Sequence, residues 1–328
     1  MPTDAPDALP TFLAAWAIVA AVALPLFVVG RWLSRRERFW PRWRVVPFGG
    51  TLIDWVLLYV TYVVVMSLAI DGLQASGVVE RLSGRGATDA GQLRQMAAGL
   101  VALPALLGAA ALLRHVVHDL RPAFDWRTLP GDVARGAVAG VAFTPLVHAF
   151  FWLTKTLNAA AGGAERDHPL ALMGTGTSPG EVAFFVLAVC VVVPWTEELL
   201  FRGVMLRWLG RRAANAALVF AVALLFAGTE GVAPNPQLAP TLFVVALAAL
   251  TAATCRLRAA RTLRAVFASS ALFAAAHSSV WPSPVPLFVL ACGLGYLTVR
   301  TGRITAAVVA HGLFNAVSSV ILIRQAAG

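Results

Sequence analysis

The stretch Pro194-Trp195-Thr196-Glu197-Glu198-Leu199-Leu200-Phe201-Arg202-Gly203 sets two carboxylates and a guanidinium into an otherwise apolar run. The uncharged segment 182–194 leads directly into it. An ionisable group at the centre of a membrane span costs roughly 2.5–3.5 kcal/mol, so it is a functional candidate by default. On a helix, residues four apart share a face, so Glu198 and Arg202 can pair. That pairing makes the burial of each tolerable. Glu197 lies about 100° further round the helix and can face something else. Pro194 removes one backbone hydrogen bond and should bend the helix just before the glutamates.

Two further segments carry chemistry. His277 closes Phe273-Ala274-Ala275-Ala276-His277, in an apolar run with no other ionisable group. In His311-Gly312-Leu313-Phe314-Asn315, the i, i+4 spacing puts an imidazole and an amide on one helix face. Gly312 between them lets a neighbouring helix come close. Each feature has a plainer reading: an interfacial salt bridge, a hydrogen-bonded structural histidine, and polar contacts between helices. Together they make a water-activating set. A glutamate takes a proton from water as general base, and burial raises its pKa toward the range such a base needs. The imidazoles orient that water or hold a metal, zinc being the natural candidate. The amide donates to a developing oxyanion.

The elements that must position these groups are apolar helices. Of 328 residues, 59% are hydrophobic and 13% charged, against about 25% charged in a soluble protein. Runs of about 20 apolar residues recur, enough to cross a bilayer core. The spans expected are about ten: 11–30, 51–70, 95–113, 133–154, 181–206, 213–231, 239–255, 265–280, 285–299 and 304–323. The fold class is therefore all-α, a polytopic transmembrane bundle. Net charge is +10 and nearly all of it is arginine, Lys155 being the only lysine. The arginines gather after alternate spans (Arg31–Arg44, Arg114–Arg127, Arg207–Arg212, Arg256–Arg264, Arg300 and Arg303). That alternation puts these loops in the cytoplasm and both termini outside. It assigns the basic excess to topology and the lipid surface rather than to nucleic acid. Only loop 71–94 is mixed in charge. The lysine-poor, Ala- and Arg-rich usage points to a bacterial cytoplasmic membrane. Cys190, Cys255 and Cys292 stand far apart and suggest packing residues, with no disulfide framework. The first ten residues carry Asp4 and Asp7 and no basic residue, unlike a signal peptide.

The motifs EExxxR, FxxxH and HxxxN, in this order on separate apolar helices, resemble the CAAX-processing and bacteriocin-processing (CPBP, or Abi) intramembrane proteases. This is the family of the Ras-converting CAAX endopeptidase. The resemblance covers roughly residues 181–324 and includes Arg202-Gly203 and a Thr301-Gly302 turn before the last helix. It implies Glu197 as general base, with Glu198 and Arg202 in support. His277 and His311 would position water, and Asn315 would help form the oxyanion site. It also implies peptide-bond hydrolysis within the membrane without a cofactor, a zinc-dependent route staying open. In the family the FxxxH helix follows the EExxxR helix more closely than here, and Glu230 stands where its histidine would be. A two-span insertion around 213–262 accounts for the difference. Residues 1–180 then form an accessory region of about four spans, and residues 181–324 a protease core.

Depth gives an independent test. At about 1.5 Å per residue, His311 lies roughly 12 Å in from Arg303 and His277 roughly 20 Å in from Arg264. Glu197 lies only about 8 Å in from Arg202, but about 15 Å in from Arg207. The side chains can meet only if Arg202 is buried with Glu198 and Arg207 marks the boundary. Elsewhere, His115, His118 and Asp119 sit among arginines and suit an interfacial role. Asp54 and His148 are expected to hydrogen-bond between helices. The expected function is an endopeptidase acting on a membrane-embedded peptide or protein near its anchor. A proton-coupled transporter relaying through Glu197, Glu230 and the histidines is the main alternative. A non-catalytic immunity or scaffold protein is a third.

Overall fold

A backbone surrounded by lipid must satisfy its own hydrogen bonds, and a helix does so within one segment. The computed structural model describes residues 51–83, 90–117, 126–160, 179–211, 260–277 and 280–327. Among these there is no strand. Six helical stretches are long and apolar enough to cross a membrane: Leu52–Ser76, Gly91–His115, Leu129–Ala160, Gly180–Gly210, Pro284–Thr301 and Thr305–Arg324. The segment expected as a span at 265–280 is a helix only over Ala260–Ala275, and its apolar part is shorter than a span. The expected spans at 11–30, 213–231 and 239–255 lie outside the described residues, as do Glu230, Cys255, His118 and Asp119.

We label the main helices α1 (Leu52–Ser76), α2 (Gly91–Leu112), α3 (Leu129–Ala160), α4 (residues 179–211), α5 (Ala260–Ala275), α6 (Pro284–Thr301) and α7 (Thr305–Ala327). Helix α1 opens with a capping box: the Thr51 hydroxyl accepts from the Asp54 N–H, and the Asp54 carboxylate accepts from the Thr51 N–H. Asp54 thus caps its own helix. His148 is local too, its Nδ1 donating to the Thr144 carbonyl at 2.9 Å. Of the mixed charges of loop 71–94, Arg94 and Glu80 form an ion pair, with Glu80 on a short helix, Val78–Ser83. Pro284 and Pro286 occupy the first turn of α6, where a missing N–H costs nothing.

The outer faces are as apolar as the inner ones. Ile53, Leu68, Val138, Val141 and Trp152 are each 66–72% exposed. Large apolar side chains this exposed on helices of spanning length suit lipid rather than water.

The backbone clusters into two units. One contains residues 142–168 and 209–300 together with the first 44 residues. In its described part, Phe143 fills the space over Gly293 and Val266 packs on Gly295. Trp281 Nε1 donates to Asn158 Oδ1 at 2.9 Å. The other unit contains residues 45–141, 169–208 and 301–328. Here Gly136 and Gly140 of α3, one turn apart, receive α7. A Cβ on Gly136 would meet the Ala306 carbonyl oxygen at 2.5 Å, and one on Gly140 would meet Leu313 at 3.0 Å. This is the small-xxx-small packing common between membrane helices.

Candidate active site

Helix α4 is interrupted by two π-helical segments. It is α-helical over Pro179–Leu187, π-helical over Ala188–Val192, α-helical over Val193–Glu198, π-helical over Leu199–Met205 and α-helical again over Leu206–Arg211. Such π-turns inside helices often mark functional sites. Pro194 gives the first one a cause. The Val193 N–H reaches back five residues to the Ala188 carbonyl. The next amide would serve Val189 in the same way, but Pro194 has no N–H. The Val189 carbonyl is left without its donor from the helix. Asn315 supplies one, its Nδ2 donating to Val189 O at 2.8 Å.

Gly312, three residues before Asn315, makes this approach possible. A Cβ there would sit 2.4 Å from the Cys190 carbonyl oxygen. Gly312→Ala should therefore push α7 off the π-turn and destabilise the protein by about 1–3 kcal/mol. Thermal unfolding in detergent checks this, and an unchanged midpoint would contradict the contact.

The charged groups follow. Glu198 and Arg202 are both 0% exposed, and Arg202 Nη1 donates to Glu198 Oε1 at 2.9 Å. The same oxygen accepts from His311 Nδ1 at 3.0 Å. A carboxylate can only accept, so this bond puts the proton of His311 on Nδ1. Its Nε2 is turned to Glu197, 3.7 Å from Oε2. That separation lets one water touch both. Glu197 is 22% exposed at its side chain and His311 4%.

Glu197 also lines a cavity of about 250 Å³. Val189, Val192, Val193 and Thr196 of α4 form one wall. Tyr62 and Met66 of α1 and Gln92, Gln95, Met96 and Gly99 of α2 form the other. The sequence reading did not single out these α1 and α2 residues. Two amides within an apolar run, Gln92 and Gln95, were the available signal.

Five of the six expected residues, Glu197, Glu198, Arg202, His311 and Asn315, therefore meet within one unit. The depth argument is consistent with this: Arg202 is buried, and Arg207 Nη2 donates to the Gly302 carbonyl at 3.2 Å. With that bond fixing the helix ends, Glu197 and His311 fall at matching distances along α4 and α7. His277 belongs to the other unit. Its Nδ1 donates to the Phe273 carbonyl at 2.8 Å, which leaves Nε2 as its acceptor, and its ring lies 4.8 Å from that of Phe273. Among the described residues, no group of three or more His, Cys, Asp or Glu side chains is placed to hold a metal ion.

A family described as type II CAAX prenyl endopeptidase Rce1-like matches residues 179–263 and 253–317. The two matched pieces contain all six residues named above: the glutamates and Arg202 in the first, the histidines and Asn315 in the second. No curated protein and no solved structure matches the chain.

Proposed function

We propose, from the assignment of residues 179–317 to this CAAX-protease-like family, that the protein is an intramembrane endopeptidase using a glutamate-activated water. The observation that carries the reading is the pair Glu197 and His311, 3.7 Å apart, with His311 held from behind by Glu198. Glu197 takes a proton from water as the water oxygen bonds to the peptide carbonyl carbon. His311 Nε2 accepts the water's other hydrogen and so fixes its orientation. The proton on Glu197 then passes to the leaving amide nitrogen as the C–N bond breaks. Arg202 compensates the charge of Glu198, which keeps Glu198 an acceptor for His311. One amide N–H of Asn315 is committed to Val189. Any contribution to the oxyanion site rests on the other. His277 is a second water-positioning group by family resemblance alone.

The substrate of this reading is a membrane-anchored peptide or protein, cut near its anchor. The cavity beside Glu197 would take the residue next to the scissile bond. Neither zinc nor another cofactor is required by this mechanism.

The test is cleavage of a library of lipid-reconstituted peptides, each with an apolar anchor, by the purified chain. Cleavage should occur within a few residues of the anchor and persist after treatment with a chelator. Loss on chelation with recovery on adding zinc would replace the glutamate mechanism with a metal-dependent one. Proton-coupled uptake without cleavage would replace the protease with a transporter.

A further inference from the structure

The cavity beside Glu197 is assembled from three helix faces of the second unit. On α2, Gln92, Gln95, Met96 and Gly99 share one face by their i, i+3, i+4, i+7 spacing. Val189, Val192, Val193 and Thr196 repeat that spacing on α4, and Tyr62 and Met66 close the space from α1. Gln95 and Val193 are exposed, so the cavity opens at the surface, where a chain held in the bilayer can reach it.

Gly99 sets the room inside. A Cβ on Gly136 or Gly312 would strike a neighbouring helix at 2.5 or 2.4 Å. Among the described residues, a Cβ on Gly99 would meet only Val192 Cγ1, at 3.6 Å, an ordinary contact. Helix packing therefore does not demand this glycine, and glycine is a poor helix former. What the missing side chain leaves is space.

That space has a size and a chemistry. The cavity volume is about 250 Å³, and a dry apolar cavity of about 150 Å³ already accepts benzene. An aromatic side chain fits whole, whereas a small aliphatic one leaves walls without contacts. Met66 and Met96 offer thioethers, which pack favourably against aromatic rings. Glu197 lies five residues beyond Val192 on α4, about 7.5 Å along the axis. A side chain rooted at a bond beside Glu197 must be long to reach Gly99.

We propose that this cavity selects the substrate by taking an aromatic side chain, phenylalanine or tryptophan, on a residue adjoining the scissile bond. The inference rests on the proteolytic reading and adds to it the class of residue recognised. Gly99 sets the length of the pocket, and Met66 and Met96 hold the ring. Helices α1 and α2 lie outside the residues matched by the family, so this selectivity belongs to the part of the chain that the match does not cover.

The experiment uses the full chain in lipid nanodiscs and anchored peptides that differ only at the residues flanking the cleaved bond. Phenylalanine and tryptophan peptides should exceed the alanine peptide by about 10–100-fold in kcat/KM, the effect of burying one large apolar side chain. Gly99→Leu fills the cavity. It should shift preference toward alanine without lowering the melting midpoint, since it also replaces a glycine within a helix. If Gly99→Leu does not fold, Gly99→Ala should show a smaller shift in the same direction. Occupancy is read without cleavage by irradiating Glu197→Gln with a peptide carrying a diazirine on a phenylalanine ring. The label should map to α1 and α2 around Met66 and Met96. An excess of the phenylalanine peptide should suppress it and the alanine peptide should not. Equal cleavage of phenylalanine and alanine peptides overturns the proposal, as does a preference unmoved by either Gly99 variant or labelling outside α1 and α2. A parent that cleaves no peptide removes the proteolytic reading, and the labelling then decides the pocket by itself.

Discussion

Replacing Glu197 with Gln should lower peptide cleavage by about 10²–10⁴-fold, the usual contribution of a general base, while leaving the fold intact. Gln has nearly the same shape as Glu and cannot take the proton from water. Glu197 is 22% exposed at its side chain and faces the cavity, whereas Glu198 is fully buried. The loss should fall on kcat, since the residue acts on water rather than on substrate binding. His311→Ala should also be impaired, but a small external imidazole can replace some of the missing ring. The check is single-turnover cleavage of a reconstituted peptide, with melting measured alongside. Cleavage unaffected by Glu197→Gln would remove the glutamate mechanism.

The second large effect belongs to Glu198 and Arg202. Glu198→Gln removes the carboxylate charge that pairs with the fully buried guanidinium of Arg202. Breaking one side of a buried ion pair typically costs about 3–5 kcal/mol. That is a large part of the stability of a domain. The double substitution Glu198→Leu with Arg202→Met removes both charges and should recover most of the lost stability. It should not recover cleavage, because His311 Nδ1 has then lost the oxygen it donates to at 3.0 Å. Two readouts thus separate two roles: charge balance for stability, and orientation of His311 for activity. Unfolding in detergent micelles and peptide cleavage on the same preparations test both. A stable and active double variant would show that Glu198 does not position His311.

What could be read from the chain followed from local periodicity. Residues four apart on a helix meet whatever surrounds them, so the pairing of Glu198 with Arg202 was legible, and the pairing is there. Pro194 announced a distortion ahead of the glutamates, since a missing N–H disturbs any helix. Helix lengths and arginine placement located six stretches that are helices of spanning length. Polar side chains at helix starts and within helices bond to their own backbone as readily as to a neighbour, and Asp54 and His148 both make such a local bond.

Sequence alone determined an all-helical membrane protein, the chemical types at its site and the local Glu198–Arg202 pair. Tertiary structure alone decided what stands opposite them. His311 reaches Glu198 across 113 positions of chain, and Asn315 reaches Val189 across 126. No periodicity encodes such contacts; they depend on how closely α7 can approach α4, and so on Gly312. The π-turn shows the division. Pro194 withdraws a donor locally, but which side chain supplies the replacement is settled only when the helices pack. The second wall of the cavity, from α1 and α2, likewise appears only in three dimensions.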